Sequence, residues 1–160
     1  MVTSIRAGRG LPVPVGPPVT SLDCPGDDLA WHDLDPLPPT GMRRRRLVEV
    51  AATEAEPQAW AMFRDSHVDD EGNETVLHEY TVTAEIDAGR THLVSCEATP
   101  LVLPWGECPE AAASAERLAG VALADIRDVV RTDFRGITTC THLNDLLRSL
   151  GDLAALVQHI

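Results

Sequence analysis

The sequence predicts an α+β protein, with an antiparallel sheet from its N-terminal half and three to four helices from its C-terminal half packed on one face. Three observations carry this expectation. Residues 76–87 alternate apolar and polar at the two-residue period of a half-buried strand, and residues 91–98 return with the same period. Past Pro100 the apolar spacing lengthens to the three-and-four rhythm of helices. Strands therefore come first and helices after, the order of segregated layers.

Residues 1–41 hold eight of the 12 prolines, in runs such as Leu11-Pro-Val-Pro-Val-Gly-Pro-Pro. Proline fixes φ and removes an N–H, so this stretch reads as an extended or disordered leader whose apolar residues, Trp31 among them, drape over the body. Residues 42–160 form the single domain. Its first strand opens on Arg43-Arg-Arg-Arg-Leu-Val-Glu-Val, where alternation puts two guanidinium groups on each face. A second strand spans 58–67, with Trp60, Met62 and Arg64 on one side. In 76–87, Val76, His78, Tyr80, Val82, Ala84 and Ile86 share the apolar face, and Asp87-Ala-Gly-Arg turns the chain into 91–98.

Cys108-Pro109-Glu110 starts a first helix, with Pro at its first position, running to Leu118. Leu123, Ile126, Val129, Val130 and Phe134 mark a second that stops at Gly136. Thr141 is the expected cap of a third, which buries Leu143, Leu146, Leu147 and Leu150, and a short last helix covers 152–158.

Composition excludes several functions. Twenty-five acidic against 13 basic residues give a net charge of -12, so polyanions are repelled and neither nucleic acid nor an anionic membrane is an expected partner. All the basic residues are Arg; without Lys there is no lysine nucleophile or Schiff base. The sequence shows no apolar run of transmembrane length and no export signal at its start, which reads as cytoplasmic. The four cysteines, Cys24, Cys96, Cys108 and Cys140, then read as free thiols or ligands rather than disulfides. No Gly-rich phosphate loop, dinucleotide fingerprint or Gly-x-Ser-x-Gly elbow is present. Asp65, Asp69, Asp70 and Glu71 lack the glycine and closing glutamate of a calcium loop and read as a turn.

The most chemical stretch is Cys140-Thr-His-Leu-Asn-Asp-Leu-Leu, which sets a thiol and an imidazole where a loop enters a helix. The positive end of the helix and its unpaired N–H groups favour a thiolate there. Together with His67-Val-Asp69, the hairpin Tyr80-Thr-Val-Thr and Ala98-Thr-Pro-Leu-Val-Leu-Pro-Trp-Gly-Glu-Cys-Pro109, this motif resembles a bacterial family known as domain of unknown function number 2889. The resemblance covers roughly residues 42–157, with Cys-Thr-His-Leu its most specific part. The family carries no settled activity, so the resemblance implies a shared fold and site rather than a reaction. It implies Asp69, Cys108, Cys140 and His142 as motif positions, with His67 beside them.

Cys108 and Cys140 both precede predicted helices, and two helix N-termini converging on one cleft would favour anions and thiolates. The leading expectation is an enzyme site lined by Cys108, Cys140, His142, His67 and Asp69, acting on a small carboxylate- or carbonyl-bearing molecule. Cys140 would be nucleophile or acid/base with His142 or His67, and Asp69 would orient an imidazole or hold a hydroxyl. Arg44, Arg46, Arg64 and Tyr80 are the candidates for substrate contact, the arginines as carboxylate clamps. A second reading is a Zn or Fe ion held by Cys108, Cys140 and His142, with Asp69 or His67 as remaining ligand. In a third, the chain is a non-catalytic accessory or interaction subunit and its cysteines are structural. The cofactor is thus none or a Zn or Fe ion, the partner a small molecule or a protein, and self-association is open. His142 and Cys140, two apart at a helix start, need not touch. His78, on the apolar face beside Tyr80, reads as a hydrogen-bonded core histidine.

Overall fold

A computed structural model of the protein describes residues 3–5, 13–22, 26–27, 34–104 and 108–160, with the side chains of 3–5, 13 and 108–110 outside it. Four long strands, β3 (Met42–Ala51), β4 (Gln58–Val68), β5 (Glu74–Ile86) and β6 (Leu93–Val102), form an antiparallel meander in the order β3-β4-β5-β6. Two short strands, β1 (Thr3–Ile5) and β2 (Val13–Val15), pair with each other. The predicted strand of residues 76–87 is present as Glu74–Ile86, starting two residues earlier and ending one residue sooner.

Helices follow, as expected. Residues Cys108–Leu118 wind as 3₁₀ turns, Leu123–Asp125 leads into α1 (Ile126–Asp133), and after α2 (Thr141–Ser149) the turns of Leu150–Asp152, α3 (Leu153–Leu156) and Val157–His159 run on end to end. This layer covers one face of the sheet. Phe63, Tyr80, Val82, Ile86 and Leu93 of the strands share a buried cluster with Leu118, Ile126, Val130, Leu143, Leu146, Leu147 and Leu150 of the helices. Burying this apolar surface is the main stabilising term, roughly 1.5–3 kcal/mol per large side chain.

Two features of the sheet matter for the site. The register sets Arg44 opposite Asp65 and Asp65 opposite His78, a polar row across three strands. Immediately beyond it the pairing jumps from Asp65↔His78 to Ser66↔Val76, leaving Leu77 as the extra residue of a bulge. Such bulges bend a strand and re-aim its side chains.

On the opposite face, Arg64 and Glu79 form a buried pair, Arg64 Nε donating to Glu79 Oε2 at 2.9 Å and its Nη2 to Oε1 at 2.8 Å. Arg64 Nη1 also donates to the carbonyl of Thr20 at 2.7 Å. That contact ties down residues 16–20, which run along the free end of β5 with Val76 N–H bonded to the Pro17 carbonyl and Val19 N–H to that of Glu74. Gly16 permits the approach, because a Cβ there would lie 1.7 Å from the Val76 carbonyl oxygen. Residues 16–20 of the proline-rich segment are thus docked along β5. Trp31, His32 and Cys24 lie outside the described residues.

Candidate functional site

The polar row on β3, β4 and β5 meets the start of α2. The leucines at 143, 146, 147 and 150 press that helix onto the sheet, and its remaining side faces the row with His142 and Asp145. The helix begins differently from expectation. Cys140, in extended conformation, is the N-cap and its side chain makes no regular capping hydrogen bond; Thr141 is the first helical residue. The Cys140 carbonyl accepts from Asn144 N–H at 2.8 Å, closing the first turn. With a thiol at the cap, the early N–H groups face a sulfur instead of a hydroxyl.

Cys140 and His142 do touch. Cys140 Sγ lies 3.8 Å from His142 Nδ1, because the extended cap residue swings its side chain back over the first turn. Half-burial alone would raise the thiol's pKa. The His142 hydrogen bond and the backbone N–H groups of Leu143 and His142 outweigh it and bring Cys140 from the usual 9.0 down to about 7. Cys96, buried in the core, is pushed up to about 12 by desolvation. Two cysteines of one chain thus have opposite character.

The His142 ring is stacked. It lies 3.8 Å, centroid to centroid, from His78 with the planes 23° apart, and 6.3 Å from Phe63 on β4, which in turn stacks on Tyr80. A ring nitrogen of His78, one of His142 and a carboxylate oxygen of Asp65 lie within 4.8 Å of one another. Among the described residues His78 has no hydrogen-bond partner, contrary to the core histidine expected from the sequence. Burial, followed by the charge of His142, lowers its pKa to about 4, so it is neutral at physiological pH.

Arg44 frames the cluster. Its Nε and Nη2 donate to the two oxygens of Asp65, both at 2.6 Å, and its Nη1 to Asp145 Oδ2 at 2.9 Å. The guanidinium also lies over the Phe63 ring, 5.2 Å from the centroid. These acids hold the Arg44 pKa well above its ordinary value, Asp65 contributing most. Although partial burial opposes it, contacts with Arg148, Arg46 and Arg44 lower the pKa of Asp145. Arg46 reaches Asp145 by a single longer contact, 3.4 Å, and its side chain is 46% exposed.

The structure sorts the residues singled out by sequence. Cys140, His142 and Arg44 sit together, with Arg46 at the margin. Tyr80 lies beneath them, fully buried. Arg64 is on the other face of β4, engaged by Glu79. Asp69 belongs to the β4–β5 turn: its Oδ1 accepts from the N–H groups of Glu71 and Asn73, and its Oδ2 from the Asn73 amide, which lowers its pKa. His67 is paired with Met42 and Thr75 on the far side of the bulge. The backbone of Cys108 opens the first helical segment, and its sulfur lies outside the described residues.

Sequence reasoning read Asp65 as part of a turn, whereas it lies within β4 opposite His78, and it passed over His78 as a core residue. A signal existed for one pair: Asp65 and His78 lie on facing strands, and a register closing β4 and β5 through the turn at Asp69–Asn73 sets them nearly opposite one another.

No helix among the described residues is long and apolar enough to cross a membrane. No curated protein and no solved structure matches the chain. The sequence profile of one family matches residues 42–156, the sheet and helices that build this cluster, and the chain therefore belongs to the family described as protein of unknown function (DUF2889).

Proposed function

We propose that the cluster at the start of α2 is an active site in which Cys140 and His142 form a thiolate–imidazolium pair acting on a small molecule that bears a carbonyl and a carboxylate. The observation that carries this reading is the Sγ···Nδ1 contact of 3.8 Å at a helix N-terminus. A core cysteine has no use for such a partner, and Cys96 shows what this chain does with one. Cys140 and His142 are both half-buried, so a ligand can reach them while much of the water is kept off.

In the reaction the Cys140 thiolate attacks the carbonyl carbon. A C–S bond forms, the carbonyl π pair moves to oxygen, and that oxygen takes the proton from the His142 imidazolium. Arg44 is committed to Asp65 and Asp145 and serves as framework. Arg46, loosely held and half exposed, is the arginine left for a substrate carboxylate. A cytoplasmic location would keep the thiol reduced, as this chemistry requires.

Protection from alkylation tests the reading. Iodoacetamide labelling of Cys140 in the native chain is followed by peptide mass spectrometry while small 2-oxo acids, aldehydes and plain carboxylates are added one at a time. At least one 2-oxo acid or aldehyde should slow labelling saturably, and Arg46→Ala should weaken protection by the acid. Labelling that no member of the set slows would count against an active site here.

A further inference from the structure

We infer that Asp65, His78 and His142 form a binding site for a divalent first-row transition-metal ion such as Zn²⁺ or Fe²⁺. The sequence suggested a different set, built on the two sulfurs of Cys108 and Cys140. Three features of the structure favour the two imidazoles and one carboxylate.

The first is convergence. The three residues come from β4, β5 and α2, and each offers one ligand atom within 4.8 Å of the others. At metal–ligand bonds of about 2.0–2.2 Å, ligand atoms around one ion lie roughly 3–4 Å apart, so small side-chain rotations close the site.

The second is the state of the donors. Among the described residues neither nitrogen of His78 is hydrogen-bonded, although the ring is half-buried against His142. Two stacked imidazoles beside a carboxylate, with no hydrogen bond joining the three, leave lone pairs that a cation would satisfy. On His142, the contact of Nδ1 with the Cys140 sulfur leaves Nε2 as the nitrogen for the ion. A ligating histidine ordinarily has its second nitrogen held by a neighbouring acceptor, and the sulfur fills that place.

The third is the support of the carboxylate. Arg44 grips both oxygens of Asp65 and fixes its orientation, while each oxygen retains a second lone pair. Arg44 is also bonded to Asp145, so it has a second acid to lean on when Asp65 takes up a cation. Two nitrogens and one oxygen suit zinc or ferrous ion, and three protein ligands leave open positions for water or a substrate oxygen, as catalytic rather than structural sites do. The site shares His142 with the thiol chemistry proposed above and does not depend on it.

The test uses the untagged full chain, freed of metal by a chelator and then dialysed, titrated with ZnCl₂ alone in a calorimeter. The wild type should bind one equivalent of zinc with micromolar or tighter affinity. His78→Gln and Asp65→Asn should each weaken binding at least tenfold with their circular dichroism unchanged, and Cys140→Ser should keep it within a few-fold. Absence of stoichiometric binding in the wild type would overturn the site. So would equal binding by a folded His78→Gln, or loss confined to Cys140→Ser, which would place the ion on sulfur. If either single variant fails to fold, His78→Asn and Asp65→Ser take its place. Because Cys140 alkylation can be followed in the same His78→Gln protein, failure of the metal site and failure of the thiol reading are separately visible.

Discussion

Replacing His142 should switch Cys140 back to an ordinary thiol, and the size of the change follows from the geometry. At pH 7 a thiol with a pKa of about 7 is about half ionised, whereas one at 9.0 is only about 1% ionised. Losing the imidazole removes the largest effect opposing burial while the backbone N–H groups of Leu143 and residue 142 remain, so the His142→Ala thiol returns toward the ordinary 9.0. The thiolate fraction at pH 7 thus falls by up to about 50-fold. A more basic thiolate is also the better nucleophile, by roughly 6- to 10-fold across that interval, so the net loss of alkylation rate in metal-free protein is at most roughly 5- to 8-fold. The pH at half-maximal rate is the sharper readout. It should lie near 7 in the wild type and rise toward 9 in His142→Ala. The sign is that of an acid with a depressed pKa: the stabilisation of the thiolate is complete above the unfolded value and is lost as pH falls through 7. The assay is iodoacetamide labelling from pH 5.5 to 10 with peptide-level quantification, and Cys96, about 1% exposed, is the internal control that stays unlabelled until the protein unfolds. A wild-type midpoint at 8.5 or higher, or one that His142→Ala leaves in place, would refute the reasoning.

Two further outcomes concern the frame of the site. Arg64→Ala should cost about 3–5 kcal/mol in urea unfolding by stranding the buried Glu79 carboxylate, and the double change to Leu at both positions should recover most of it; equal losses in the single and double variants would contradict the buried pair. In metal-free protein, His78 is neutral when folded and charged when unfolded between pH 6.5 and about 4, so its contribution disfavours the fold as pH falls through that window. With the ring half exposed and solvent screening allowed for, the stability of the wild type relative to His78→Gln should drop by about 1–2 kcal/mol from pH 7 to 4, read as urea midpoints; a gap independent of pH would contradict the burial of this ring.

The sheet and helices were legible because each rests on local periodicity. Two-residue alternation marks β5 by itself, and the leucines at 143, 146, 147 and 150 define the buried side of α2 within a few turns. Cys140 and His142 were legible for the same reason. Their contact depends on a short run of backbone, although the extended cap that brings them together went unread, since the loop was expected to be capped by Thr141. Asp69 was read both as a turn residue and as a site residue, and its carboxylate is engaged in the turn.

Local chemistry therefore determined which segments are strands, which face of each is apolar and that the Cys140 thiol sits at a helix start, because those properties depend on neighbours in the chain. Only the tertiary structure decided that Asp65 and His78 complete the cluster and that Arg44 belongs to it. Arg44 meets Asp65 21 residues away and Asp145 101 residues away, and His78 finds His142 across the sheet–helix boundary. Whether a polar side chain on a strand is a core histidine, a framework acid or a ligand depends on what the register places opposite and which helix lies above, and one bulged residue, Leu77, alters that answer for everything beyond it.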